Sequence, residues 1–193
     1  MTTPSRPSLI LASQSPRRIE LLKKITPDFM VIPSSVEERL EPGKTAEENA
    51  TSLAEQKALF VAQENPGHLV LGADTLVVLE DEIIGKPSDE TEAQQILRRL
   101  SGRSHRVITG VCVVGQEVWA EATVSQVTFN LLSDPEIVEY IKTGEPMDKA
   151  GAYAIQGIGA KFVASHKGSF SNIVGLPIKT TARLLRLAGF LSA

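Results

Sequence analysis

One carboxylate interrupts an otherwise apolar run: residues 68–79 read His-Leu-Val-Leu-Gly-Ala-Asp-Thr-Leu-Val-Val-Leu, with Asp74 near the centre. Apolar residues on both parities predict a strand covered on both faces, where an unpaired ionised carboxylate costs on the order of several kcal/mol. Asp74 therefore needs a metal, a cation or a water-filled cleft. That makes it the first candidate for proton transfer or metal ligation. A competing reading puts Asp74 at a solvated strand end, capping a turn, with Gly72 marking an irregularity there.

A second group is Ser13-Gln14-Ser15-Pro16-Arg17-Arg18, placed where a short apolar strand would meet a helix. A helix N-terminus presents free backbone N–H groups and partial positive charge, and the two arginines add forked donors that match phosphate oxygens. The alternative is a capped helix with both arginines on its solvated face. Cations at a helix start oppose the macrodipole, and a bound anion would resolve that misfit.

Lys57 falls on a helical stripe with Ala50, Leu53, Ala54 and Val61. A lysine in such a row either snorkels from the core edge or meets negative charge in a cleft. Lys86, in Gly85-Lys86-Pro87, is a surface-loop lysine or a phosphate ligand, according to whether its loop rims the site. The segment 148–159 is rich in small residues that let backbone approach a ligand, and its Gln156 offers donor and acceptor together, suited to a planar base edge. A plain glycine-rich loop is the other reading. Neither a P-loop nor a dinucleotide fingerprint is present, and His68, His105 and His166 lack metal-ligand spacing.

These groups need elements to hold them. Residues 9–12 read as a strand, followed by a helix with Ser15 at the N-cap and Pro16 at its first position. Thr45 and Glu48 have capping-box spacing ahead of the Lys57 stripe, and Asp89 with Glu92 repeats it before a helix ending at Leu100. Residues 82–84 form a short strand. Residues 104–114 and 118–129 are rich in β-branched residues and predict a hairpin; Ser133, Pro135 and Glu136 start a fourth helix, and Pro177 precedes a C-terminal one over 178–187. This mixed order predicts an α/β fold with a mixed sheet.

Composition narrows the class. The chain has 193 residues, 42% hydrophobic and 22% charged, enough for one sizeable core or two tightly joined lobes. Its net charge of -3 argues against broad nucleic-acid binding, so phosphate recognition must be local. The single Cys112, set in the apolar run 107–114, excludes an internal disulfide framework and reads as an inert core thiol. No apolar run is long enough to span a membrane, and the polar segment 1–7 is too short for a signal peptide, so a cytoplasmic protein without membrane or nucleic-acid partners is expected.

Taken together, the blocks 13–18, Glu37-Glu38, Lys57, 72–75, 85–87, 101–105, 148–157 and 174–177 resemble the Maf-like nucleotide pyrophosphatases over nearly the whole chain. The resemblance implies a single domain over 1–193: a two-lobed α/β fold of the Maf/ITPase-like kind, with an elongated mixed sheet flanked by helices and an active-site cleft between lobes. It implies hydrolysis of a nucleoside triphosphate between the α and β phosphates with a divalent metal, Mg²⁺ or Mn²⁺, and suggests a homodimer. Ala73-Asp74-Thr75 and the segment 151–157 look like the branch acting on dTTP and UTP. By position Asp74 corresponds to the proton acceptor, while Arg17, Thr75 and Gln156 fall where substrate specificity is set.

In that reading Ser13, Arg17, Arg18, Lys57 and Lys86 bind phosphate, and Asp74 with Glu38 would hold the metal. Two alternatives stand beside it. One is a pyrophosphatase for 7-methyl-GTP or a broader set of modified nucleotides; the other is a non-catalytic nucleotide-binding regulator of septum formation.

Overall fold

Helices begin where the sequence supplies a cap or a proline. In the computed structural model, which describes residues 8–192, strand β1 (Leu9–Leu11) leads into helix α1 (Pro16–Lys23) with Pro16 at its first position. Ser15 stands at the N-cap as expected, but its side chain makes no capping bond; Ser13 Oγ accepts from the Ser15 N–H instead, at 3.2 Å. Helix α2 (Ala46–Gln63) has the full capping box: Thr45 Oγ1 accepts from the Glu48 N–H, and Glu48 Oε2 accepts from the Thr45 N–H. The segment 1–7, expected to be too short for a signal peptide, lies outside the described residues.

The remaining elements are strands β2 (Met30–Val31), β3 (Leu69–Leu79), β4 (Glu82–Ile84), β5 (Ser104–Val114), β6 (Val118–Phe129) and β7 (Val163–Lys167). Helices α3 (Glu90–Leu100), α4 (Asp134–Ile141), α5 (Phe170–Val174) and α6 (Ile178–Leu187) join them, with short 3-10 turns after α4. At α3 the Asp89 side chain caps the Glu92 N–H, but Glu92 reaches Ser88 rather than Asp89, so that capping pair is only half formed. The strands form one seven-stranded mixed sheet in the order β2-β1-β3-β5-β6-β7, with β4 paired to β3. β1 runs parallel to β2 and β3, whereas β4 is antiparallel to β3 and β7 to β6.

The described residues fall into two compact units. The first takes the chain up to Asp74, Thr109–Thr123 and the chain from Gly175 onward; the second takes Thr75–Ile108 and Val124–Val174. In the first, Ile10, Ala12, Ala54, Ala58, Val61 and Cys112 pack together. Burial, aided by the charge of Glu55, pushes the Cys112 thiol up to about 12, in keeping with an inert core residue. The second unit's core joins α3 and α4 to β3–β6 through Leu97, Leu100, Phe129, Tyr140 and Phe162. No helix among the described residues is long and apolar enough to cross a membrane.

Candidate active site

Asp74 lies inside β3, not at its end, and is 6% exposed. Pairing of β3 with β1 ends at Leu71 and pairing with β4 begins at Val77, so Asp74 sits in the stretch between the two. Gly72 marks no break in the strand, contrary to the competing reading. A Cβ there would stand 2.2 Å from the Ala54 carbonyl oxygen and 2.9 Å from the Ala58 nitrogen, so the glycine lets α2 lie directly on the sheet. Side chains two apart on a strand share a face, and Asp74 therefore points to the same helix as Gly72.

That helix delivers Lys57. Its side chain, 11% exposed, donates to Asp74 Oδ1 and also meets Glu38 Oε1 at 2.8 Å. The lysine thus does not snorkel; two carboxylates hold its charge in the interior. Asp74 and Glu38 converge on one cation position with hard oxygen donors, the donor type that Mg²⁺ and Mn²⁺ take. Among the described residues no group of three His, Cys, Asp or Glu does so.

The start of α1 is part of the same unit. Arg18 donates through Nε to the Gly175 carbonyl at 2.9 Å and through a terminal nitrogen to Ser13 Oγ at 3.4 Å. Burial draws its guanidinium below the ordinary value, Asp74 and Glu38 oppose that, and Arg17 adds to it. Arg18, bonded to Ser13, therefore lies within the electrostatic reach of the two carboxylates that hold Lys57, and Arg17 is half-buried beside it on α1. The reading of both arginines as solvated-face residues does not hold for Arg18.

Thr75, Lys86 and Gln156 belong to the second unit. Thr75 is half-buried on β3, while Lys86 and Gln156 are exposed. The loop of Lys86 and the small-residue segment are stitched together, because the Gly151 N–H donates to the Gly85 carbonyl at 3.1 Å. Gly151 and Ala152 both take left-handed backbone, and a Cβ on Gly151 would press on the Val77 methyls at 3.0 Å. Small residues here serve internal packing.

Two residues that the sequence reading did not single out, Tyr140 and Glu145, shape this segment, as does His105, which that reading named without a role in the site. Glu145 and Tyr140 bond to its backbone. His105, 2% exposed, shares a 2.8 Å hydrogen bond with the Tyr153 hydroxyl and stands edge-to-face with Phe129, while its Nδ1 has no partner. The only sequence signal was position: Gly144-Glu145-Pro146 directly precedes the segment, and His105 opens an apolar strand.

Burial pushes His105 down to about 4, from 6.5. An unfolded chain takes up the proton near 6.5 and the folded one resists until about 4, so stability is complete above pH 6.5 and declines as pH falls through this window. The expected loss is up to about 3 kcal/mol. Urea melts of wild type and His105→Gln at pH 7 and pH 5 check it: the variant should show the flatter pH dependence, and equal slopes would remove His105 as the cause.

A mixed sheet flanked by helices, with a buried lysine between two carboxylates, defines an α/β protein built around a charged site. A HAM1 protein from Coxiella burnetii shares the fold, with a TM-score of 0.51 at 16% identity, covering 94% of this chain and 98% of the other. The chain belongs to the Maf-like protein family, whose model matches residues 8–188. Proteins named dTTP/UTP pyrophosphatase are similar along most of their length. That of Bacillus velezensis is 51% identical, covering 92% of this chain and 95% of its own, and that of Aquifex aeolicus 49%, covering 92% and 94%. That of Anaeromyxobacter dehalogenans is 50% identical over 95% of each chain.

Proposed function

We propose that this protein is a nucleoside triphosphate pyrophosphatase acting in the cytoplasm on dTTP and UTP. The group Lys57–Asp74–Glu38, buried at Lys57 and Asp74 and exposed at Glu38, supports this reading most strongly, set in a chain about half identical to proteins of that name. Water adds across the anhydride bond between the α and β phosphates, giving nucleoside monophosphate and pyrophosphate. With Oδ1 given to Lys57, Asp74 accepts the proton of the attacking water at Oδ2. Asp74 and Glu38 would hold a divalent cation, Mg²⁺ or Mn²⁺, whose contribution is to neutralise triphosphate charge. Arg17, Arg18, Lys57 and Lys86, with the Ser13 hydroxyl, bind phosphate and stabilise charge on the departing pyrophosphate.

Thr75 and Gln156 hydrogen-bond the pyrimidine edge. Thymine and uracil present the same donors and acceptors and differ by one methyl, which a pocket discriminates weakly. The test is pyrophosphate release from dTTP, UTP, CTP and 7-methyl-GTP with Mg²⁺ or Mn²⁺. Turnover of dTTP and UTP about 10²-fold above 7-methyl-GTP is expected. Preference for 7-methyl-GTP would move the protein to the modified-purine reading, and binding without release would make it a nucleotide-binding regulator.

A further inference from the structure

Gln156 is exposed, yet the backbone on both sides of it is pinned by two side chains. Ahead of it, the Ala154 N–H donates to the Tyr140 hydroxyl at 3.2 Å. Beyond it, the Ile158 N–H donates to Glu145 Oε2 at 2.8 Å and the Gly159 N–H to Oε1 at 3.1 Å. The Tyr140 hydroxyl in turn donates to Glu145 Oε1 at 2.9 Å, closing the network. Tyr140 is itself fixed, fully buried on α4 and edge-to-face with Phe162.

Two glycines make room for this network, a Cβ on Gly159 also facing the Ala154 carbonyl oxygen at 3.1 Å. A Cβ on Gly157 would lie 2.4 Å from both Glu145 carboxylate oxygens, and one on Gly159 would lie 2.7 Å from the Tyr140 hydroxyl. Both positions are left open so that the carboxylate and the phenol can reach the backbone. Burial raises the Glu145 carboxyl, but the Ile158 and Gly159 N–H groups and the Tyr140 hydroxyl outweigh it, holding it below its ordinary value and so ionised at neutral pH.

We infer that Tyr140 and Glu145 are positioning residues for base selection: together they clamp the turn that presents Gln156. The inference rests on the reading of Gln156 as a base-contacting residue of a dTTP/UTP pyrophosphatase. A residue fixed on both flanks keeps its amide where one base edge fits, so loosening the flanks costs binding and selectivity before it costs chemistry.

The experiment measures KM and kcat for dTTP, UTP and 7-methyl-GTP in wild type, Glu145→Gln, Tyr140→Phe, Gln156→Ala and the double variant Glu145→Gln/Gln156→Ala. Gln keeps the size of Glu145 but replaces one acceptor oxygen by a donor. Glu145→Gln should raise KM for dTTP and UTP about tenfold, with kcat moving less and preference over 7-methyl-GTP narrowing. Tyr140→Phe, which removes a single oxygen, should shift the same quantities in the same direction and carries the test if Glu145→Gln does not fold. Adding Glu145→Gln to Gln156→Ala should cost nothing further, since the clamp acts through Gln156.

The clamp is overturned if Gln156→Ala loses selectivity while Glu145→Gln and Tyr140→Phe keep wild-type KM values. It is equally overturned if Glu145→Gln exacts the same penalty in the Gln156→Ala background, which would make its role one of stability alone. A wild-type protein that turns over neither dTTP nor UTP overturns the activity reading instead.

Discussion

Asp74→Asn should lower kcat for dTTP and UTP by about 10³-fold, the scale of a lost general base, while the protein stays folded. Asn fills the same space but carries no charge and cannot take a proton from water at neutral pH. The fold survives because Lys57 is not orphaned: Glu38 remains 2.8 Å from its ammonium, so the buried cation keeps one partner. Pyrophosphate release and a thermal melt, made on the same preparation, separate the two effects. A melt within a few degrees of wild type, with turnover gone, assigns the loss to chemistry. Retained turnover would remove Asp74 as the proton acceptor and leave Lys57 and Glu38 as a structural ion pair.

The parts of this site that were legible in the sequence were local ones. Pro16, the Thr45/Glu48 pair and Pro177 each mark a helix start because capping depends on neighbours within four residues. The oddity of Asp74 in an apolar strand was equally visible. What Asp74 touches was not, since Lys57 is distant in the chain and only the packing of α2 on the sheet decides its direction.

The edge strands were missed for a related reason. Met30 and Val31 are both exposed, and most of Val163–Lys167 is too, so their pairing to β1 and β6 leaves no burial pattern to read. Glu145 was missed, and the contact of His105 was not foreseen, because their partners are backbone N–H groups and a tyrosine hydroxyl reached through the fold. Gly72 was visible only as an irregularity; a glycine in a strand signals either a bulge or a close approach, and sequence alone does not choose between them.

That close approach carries the second large effect. Gly110→Ala should destabilise the protein by about 3 kcal/mol, lowering the melting temperature by roughly 10 °C, and Gly72→Ala should do nearly as much. A Cβ at Gly110 would stand 2.1 Å from the Ala50 oxygen and 2.2 Å from its carbonyl carbon; at Gly72 it would stand 2.2 Å from the Ala54 oxygen. These neighbours are helix backbone, so no rotamer change relieves the overlap and α2 itself must move. Ala50, Ala54 and Ala58, four apart on one face, are small for the same reason: helix and sheet meet without side chains between them.

Lys57 follows Ala54 by three positions on that helix, so lifting α2 at Gly72 draws the ammonium away from Asp74. Gly72→Ala should therefore lose activity beyond what its melting temperature explains, at 25 °C where most of it is folded. Gly85→Ala is the control for stability, because a Cβ there meets nothing within 4 Å, and its melt should stay within about 0.5 kcal/mol of wild type. If Gly72→Ala and Gly110→Ala melt like that control, close seating of α2 is not what brings Lys57 to Asp74, and the charge pair must be held from the Glu38 side alone.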